Sequence, residues 1–97
     1  MRFNTVIMNV FIISYDLKAG NPVRNEQLLG KIKTYHNYIC LGNSAYLIET
    51  EMSSVDVRDS LKLILTEGDI LYVGRVTSPA AWYGLPAETS DWIREHL

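Results

Sequence analysis

A continuous apolar segment near the start of the chain predicts a central β-strand. Residues 10–13 are all β-branched or aromatic, and the segment closes at Ser14, Tyr15 and Asp16. A strand without polar alternation is typical of one that is covered on both faces. The segment is too short to cross a bilayer, and no small-residue cleavage motif follows it. We therefore interpret it as a buried strand of a cytoplasmic protein without a membrane segment.

Apolar positions that recur every three or four residues predict two amphipathic helices. The first is expected over residues 23–36, with Asn21 as a cap and Pro22 in the first turn. The second begins with the capping pair Ser53 and Asp56. The positions that define the two apolar faces are Leu28, Leu29, Ile32 and Tyr35 in the first helix and Val57, Leu61, Ile64 and Leu65 in the second.

Three further strands complete the predicted sheet. Residues 38–41 and 45–50 are short strand-like segments, and Gly42-Asn43-Ser44 between them is typical of a tight hairpin. Residues 70–76 form the last strand, after a turn at Glu67-Gly68-Asp69. The order strand, helix, strand, strand, helix, strand with right-handed crossovers predicts a ferredoxin-like α+β sandwich.

The rest of the chain predicts an aromatic tail on a single domain. A chain of 97 residues allows one domain, with a core over about residues 8–76 and a tail over residues 77–97. Pro86 suits the start of a short tail helix, and we expect Trp82 and Trp92 to be largely buried. Two helices cover only one face of a four-stranded sheet, so the tail or a second copy must cover the other. We expect a homodimer to which the tail contributes.

Charge adds a candidate surface for an anionic partner. The chain has 9 basic and 11 acidic residues, a net charge of −2, which argues against coating nucleic acid by bulk charge. The basic residues are concentrated in the first half, where Arg24, Lys31 and Lys33 share the first predicted helix. We take these three as candidate nucleic-acid-binding residues, and the alternative is that they are the solvated face of an ordinary helix.

Asp16 is the candidate catalytic and metal-binding residue. It directly follows a buried strand, and rigid strand ends are places where proteins present polar groups to a site. A carboxylate suits a hard cation such as Mg²⁺ or Mn²⁺. One carboxylate makes a poor site, whereas two that meet across a two-fold axis make a credible one. The alternative is that Asp16 caps the following loop by accepting backbone N–H bonds.

Other cofactor chemistry finds little support in the sequence. The single cysteine, Cys40, allows neither an intrachain disulfide nor a cysteine-based zinc site. The two histidines, His36 and His96, lack the spacing of a metal-binding motif. The glycines are scattered, so no phosphate-binding glycine loop is present and no nucleotide cofactor is expected.

Several segments together resemble a known family. The strand end Ile12 to Leu17 and the loop and helix after it resemble the small CRISPR adaptation protein of the Cas-two family, and more closely its SinR-like stand-alone relatives. The matching segments later in the chain are residues 44–50, residues 53–65, residues 67–73 and the tail with Trp82 and Trp92. More distantly, the chain resembles virulence-associated protein D.

The resemblance implies a ferredoxin-like homodimer in which the aspartate that matches Asp16 faces its symmetry mate. The CRISPR members are associated with metal-dependent nuclease activity or with DNA binding as a scaffold, and the virulence-associated proteins cleave RNA. This chain differs from the CRISPR members in its negative net charge and in the few arginines of its first helix.

Two hypotheses about function follow. In the first, the chain is a homodimeric metal-dependent endonuclease, or a nucleic-acid-binding module, that acts on RNA or DNA through Asp16 and Mg²⁺ or Mn²⁺. In the second, the dimeric fold serves as a non-catalytic interaction or regulatory module for a protein partner, which the acidic second half favours.

Overall fold

A computed structural model describes residues 7–18 and 22–97. The strands form one antiparallel sheet in the order β2-β3-β1-β4. This is the ferredoxin-like α+β sandwich that the sequence predicts, with a third helix added by the tail. The elements in chain order are β1 (Asn9–Asp16), α1 (Pro22–Ile32), β2 (Asn37–Gly42), β3 (Ala45–Thr50), α2 (Ser54–Lys62), β4 (Ile70–Val76) and α3 (Ala87–His96).

The central strand β1 presents apolar side chains to both faces of the sheet. It pairs with β3 on one side and with β4 on the other. Phe11 and Ile13 point to the face that α1 and α2 cover, where both are buried. Val10 and Ile12 point to the opposite face because successive side chains of a strand alternate. The prediction of a doubly covered strand is therefore confirmed.

The core under α1 and α2 uses the positions that helical spacing predicts. Leu28 and Ile32 of α1 and Val57 and Leu61 of α2 are fully buried against the sheet. The Ser53 cap is also confirmed, because its hydroxyl accepts a hydrogen bond from the Asp56 backbone N–H at 3.1 Å. Burial of these apolar side chains is the main stabilising contribution on this face.

Both helices end earlier than their apolar spacing predicts. The helix expected over residues 23–36 ends at Ile32, where the chain tightens into turns: the Thr34 N–H donates to the Lys31 carbonyl at 3.1 Å and the Thr34 hydroxyl donates to it at 2.6 Å. Such turns satisfy the free carbonyl groups at a helix end. Tyr35 still packs against the core from its turn. The predicted cap at Asn21 lies outside the described residues.

The tail of the same chain covers one end of the second face. Ile93 of α3 is buried and packs with Val10 and Leu47 of the sheet. Trp82 and Trp92 border this cluster and are half-buried, which is less than the sequence predicts. The Trp82 indole N–H donates to the Ser90 hydroxyl at 2.9 Å, so its polar edge needs no deeper burial.

The tail leaves the other end of the second face exposed. Asp16 and Ser14 of β1 and Ile70 and Tyr72 of β4 point to this face and are exposed. We call this area, with these four residues, the open end of the sheet. The homodimer was expected because two helices leave the second face of the sheet uncovered. The tail covers part of that face, and the open end is the part that a second copy would cover.

Substitution of Ile93 tests the role of the tail. We expect Ile93→Ala to lower the free energy of unfolding by about 2–5 kcal/mol, because it opens a cavity beneath α3. Leu63→Ala removes the same kind of side chain from a position that is 84% exposed, and we expect a change within about 0.5 kcal/mol. Urea unfolding measures both, and equal effects of the two variants would contradict a packed tail.

Candidate functional site

The structure places Asp16 at the end of β1 with its carboxylate exposed to solvent. Asp16 lies opposite Ile70 in the β1–β4 ladder. Its carboxylate accepts no hydrogen bond in the described part of the chain. The alternative was that Asp16 caps the next loop. Of that loop, the Lys18 N–H donates to Asp69 instead, and residues 19–21 lie outside the described residues.

Asp69 holds together the two loops next to Asp16. One carboxylate oxygen accepts the Lys18 N–H at 2.8 Å, and the other accepts the Thr66 N–H at 2.9 Å. The Arg24 guanidinium of α1 donates to both oxygens, at 2.7 and 3.1 Å. This fork-to-fork geometry is the strongest arrangement of an arginine–carboxylate pair. We call the four residues Lys18, Arg24, Thr66 and Asp69 the loop clamp.

The loop clamp is shielded from solvent. The Asp69 side chain is 0% exposed and the Arg24 side chain 14% exposed. The Thr66 backbone N–H is the largest cause that holds the pKa of Asp69 well below its usual range. Arg24 and the Lys18 N–H lower the pKa further, while burial acts against them. Asp69 is therefore ionised at all physiological pH values and fixes the chain on both sides of the site.

Gly68 allows the two loops of the clamp to meet. Its φ is 91°, in the left-handed region that favours glycine. A β-carbon at this position would lie 2.5 Å from the Cδ of Lys18. The glycine thus serves both the turn and the close approach of the loop that follows Asp16.

An exposed tyrosine accompanies Asp16 at the open end of the sheet. Tyr72 is 63% exposed and lies opposite Ser14, two residue pairs along the ladder from Asp16 and on the same face of the sheet. Its ring leans along β4 over Gly74, where an added β-carbon would lie 2.6 Å from the ring. The site therefore places a carboxylate beside an accessible aromatic ring. The ring offers a stacking surface, whereas the carboxylate repels a phosphate unless a cation lies between them.

The three candidate basic residues do not converge on Asp16. Arg24 lies at the same end of the molecule, but its guanidinium is bound to Asp69. Lys31 and Lys33 are exposed at the opposite end of α1. Because α1 covers the other face of the sheet, neither lysine shares a surface with the Asp16 carboxylate.

One chain offers few metal ligands. Across residues 7–18 and 22–97, no three His, Cys, Asp or Glu side chains are grouped so that they could hold a metal ion. Asp16 fits Mg²⁺ or Mn²⁺ as a single oxygen ligand, so a second carboxylate has to come from another molecule. The His96 ring is engaged elsewhere, stacked on Trp92 with its Nδ1 2.7 Å from the Trp92 carbonyl oxygen.

Asp69 and Tyr72 are not among the site residues that the sequence predicts. The signal for Asp69 was its place in a Thr-x-x-Asp turn directly before a strand, where an aspartate accepts local N–H bonds. Its pairing with Arg24 joins distant parts of the chain and has no local signal. For Tyr72 the signal was the glycine two positions later, which leaves room for the ring on the same face.

Comparisons with known proteins add no relative. No protein-family model, no curated protein and no solved structure matches the chain. Among the helices of the described residues, none has the length and apolar character to cross a membrane.

Removal of the Asp69 charge tests the loop clamp. We expect Asp69→Asn to lower the melting temperature clearly more than Asp59→Asn, whose carboxylate forms an exposed pair with Arg58. The Asp69 contribution is complete above its unfolded-state pKa of about 3.9 and is lost as the pH falls below that value. The difference between wild type and Asp69→Asn should therefore shrink in acid. A difference that is constant from pH 7 to pH 3 would contradict this role.

Gly74→Ala tests the position of the exposed ring. The new methyl group and the Tyr72 ring cannot occupy the same space, so we expect the ring to turn away from β4. Chemical shifts of the Tyr72 ring protons measure this change by NMR. The matched control is Gly30→Ala, because a β-carbon at Gly30 meets no atom within 4 Å. Unchanged Tyr72 shifts in Gly74→Ala would contradict the described packing.

Proposed function

We propose that this protein is a homodimeric, metal-dependent endonuclease that acts on single-stranded RNA or DNA. The observation that supports the proposal is the state of Asp16: its carboxylate is exposed, free of hydrogen bonds within the described residues, and attached to a rigid strand. A carboxylate that accepts no hydrogen bond from the described residues is available for a ligand. The resemblance to the Cas-two family supports the same residue.

The proposed metal site uses Asp16 from each of two copies. Two carboxylates supply hard oxygen ligands and leave water molecules on Mg²⁺ or Mn²⁺. When bound, such an ion lowers the pKa of its water and stabilises charge on a phosphoryl group. Asp16 holds the ion in this proposal, and the loop clamp fixes the backbone that follows Asp16.

Tyr72 supplies the proposed contact with nucleic acid. Stacking of a base on an aromatic ring is worth about 1–3 kcal/mol and tolerates any sequence. A duplex hides its bases, so a stacking surface favours a single strand. Because the ring is 63% exposed and lies two residue pairs from Asp16 on the same face, a base on Tyr72 brings its backbone towards the carboxylate.

The open end of the sheet also favours a second copy. Ile70 is 61% exposed beside Tyr72, and both belong to β4, which is an edge strand of the sheet. An edge strand has unpaired backbone groups that can join another strand. A two-fold contact at this end brings the two Asp16 side chains towards each other.

The second candidate function is a non-catalytic interaction module for a protein partner. The observation that favours it is charge: residues 41–97 hold nine acidic and four basic residues. Because Arg24 forms an ion pair with Asp69, less positive charge is available to a nucleic acid. In this case the open end of the sheet binds a protein rather than a base.

Asp16→Asn tests the proposed activity. We expect Mn²⁺ or Mg²⁺ to support cleavage of a labelled single-stranded RNA or DNA, and Asp16→Asn to reduce the rate by at least about a hundredfold, because an amide cannot neutralise a divalent cation. Light scattering should show dimers for both proteins. The control is Asp59→Asn, which removes an exposed carboxylate from α2 on the opposite side of the sheet.

Other outcomes of this experiment select between the two functions. Cleavage that persists in Asp16→Asn would show that the activity belongs to another site or to a contaminant. No cleavage by wild type, together with no Mn²⁺ binding by calorimetry, would leave the interaction module. A monomer that cleaves in the presence of metal would contradict the shared Asp16 site.

A further inference from the structure

A cavity lies at the opposite end of the molecule from Asp16. It has a volume of about 290 Å³ and lies between the turn after α1, the end of β3 and one side of α2. His36, Thr50 and Glu51 also line a neighbouring cavity of about 490 Å³. Together they reach the size range of small-molecule sites. Nothing in the proposed function uses this cavity.

The first notable group of this cavity is the Tyr35 hydroxyl. It is buried and has no hydrogen-bond partner among the residues that the structure describes. Burial raises the pKa of Tyr35 above its usual value, and the nearby Ser60 hydroxyl offsets part of that rise. The two hydroxyl groups are close but do not form a hydrogen bond with each other. Tyr35 therefore stays protonated and keeps an unused donor, which is costly for a buried group.

Two more hydroxyl groups lie beside Tyr35. Thr50 is buried and accepts the Met52 N–H at 3.2 Å, while its own proton has no acceptor in the described residues. Ser60 of α2 also lines the cavity. Three hydroxyl groups thus line one small volume, and none of them donates a hydrogen bond to another described residue.

Charged side chains at the rim add to the donors. Lys31 and His36 line the cavity, and Glu51 is the carboxylate among the lining residues. None of the three side chains makes a hydrogen bond or an ion pair within residues 7–18 and 22–97. A cation and several neutral donors favour a ligand group that only accepts hydrogen bonds, and a phosphate is such a group. Glu51 accepts from a hydroxyl or amino group elsewhere on the ligand.

We propose that this cavity binds a phosphomonoester of a small hydroxylated molecule, with the phosphate between Lys31 and Tyr35 and a sugar hydroxyl on Glu51. The site is independent of Asp16 and of the metal. A nucleoside monophosphate and a sugar phosphate share this chemistry, and only the nucleoside monophosphate also places a base in the neighbouring cavity.

Calorimetry on the full chain tests the site with four probes: adenosine 5′-monophosphate, ribose 5-phosphate, adenosine and inorganic phosphate. We expect both phosphomonoesters to bind at least about tenfold more tightly than adenosine or inorganic phosphate. Tighter binding of the nucleotide than of ribose 5-phosphate identifies a nucleotide site, and equal affinity identifies a sugar-phosphate site. No binding of either phosphomonoester at millimolar concentration would overturn the proposal.

Three variants locate the binding. Lys31→Gln should lower the affinity for the phosphomonoesters about tenfold, because a charge-assisted contact is lost. Lys62→Gln is the matched control, since this exposed lysine of α2 does not line the cavity. An equal loss of affinity in both lysine variants would overturn the proposal. Tyr35→Phe should weaken binding without lowering the melting temperature, because it removes a donor that has no partner in the free protein. Full affinity in Tyr35→Phe would also overturn it.

Discussion

The two apolar faces of β1 are the constraint on which the rest of the structure depends. A strand that is covered on one side only would leave Val10 and Ile12 in water, at a cost of roughly 25 cal/mol for each Å² of apolar surface. The helices α1 and α2 cover one face, and the tail packs against the other. Because α3 is short, it covers only part of that face. The exposed remainder is where Asp16 and Tyr72 lie.

The loop clamp links this packing to the candidate site. Asp69 binds the chain directly after β1 and the start of α1 through groups that are hidden from solvent. A buried pair of this kind is costly to break, since removal of one partner leaves an uncompensated charge. The loop clamp thus holds the loops together at this end of the sheet. The Asp16 carboxylate accepts no hydrogen bond from the described residues there. The two aspartates next to each other in space have separate roles: Asp69 holds the backbone and Asp16 faces solvent.

How much the sequence could predict depended on how local each signal was. The strand over residues 10–13, the Ser53 cap and the turn at Gly42 are encoded by neighbouring residues, and each was predicted correctly. The early end of α1 was not, because Tyr35 keeps its place in the core from a turn as well as it would from a helix. The pair of Arg24 with Asp69 was also missed. The two residues are far apart in the chain, and only the completed sheet brings them together. The position of Lys31 and Lys33 relative to Asp16 could not be predicted either. Their spacing along the chain is a local feature, but it does not show that α1 packs on the face of the sheet opposite to Asp16.

The sheet order has a consequence for how the chain folds. The hairpin of β2 and β3 joins neighbouring strands, whereas β1 pairs Val10 with Val76 near the far end of the core. Contacts between distant residues require long loops to close before any stabilisation is gained, which slows folding. The hairpin therefore forms with little loss of chain entropy, whereas the pairing of β1 with β4 requires the last strand of the sheet. Until β4 has been synthesised, one edge of β1 has no partner strand, so the newly made chain is most prone to self-association before its last strand and tail are complete.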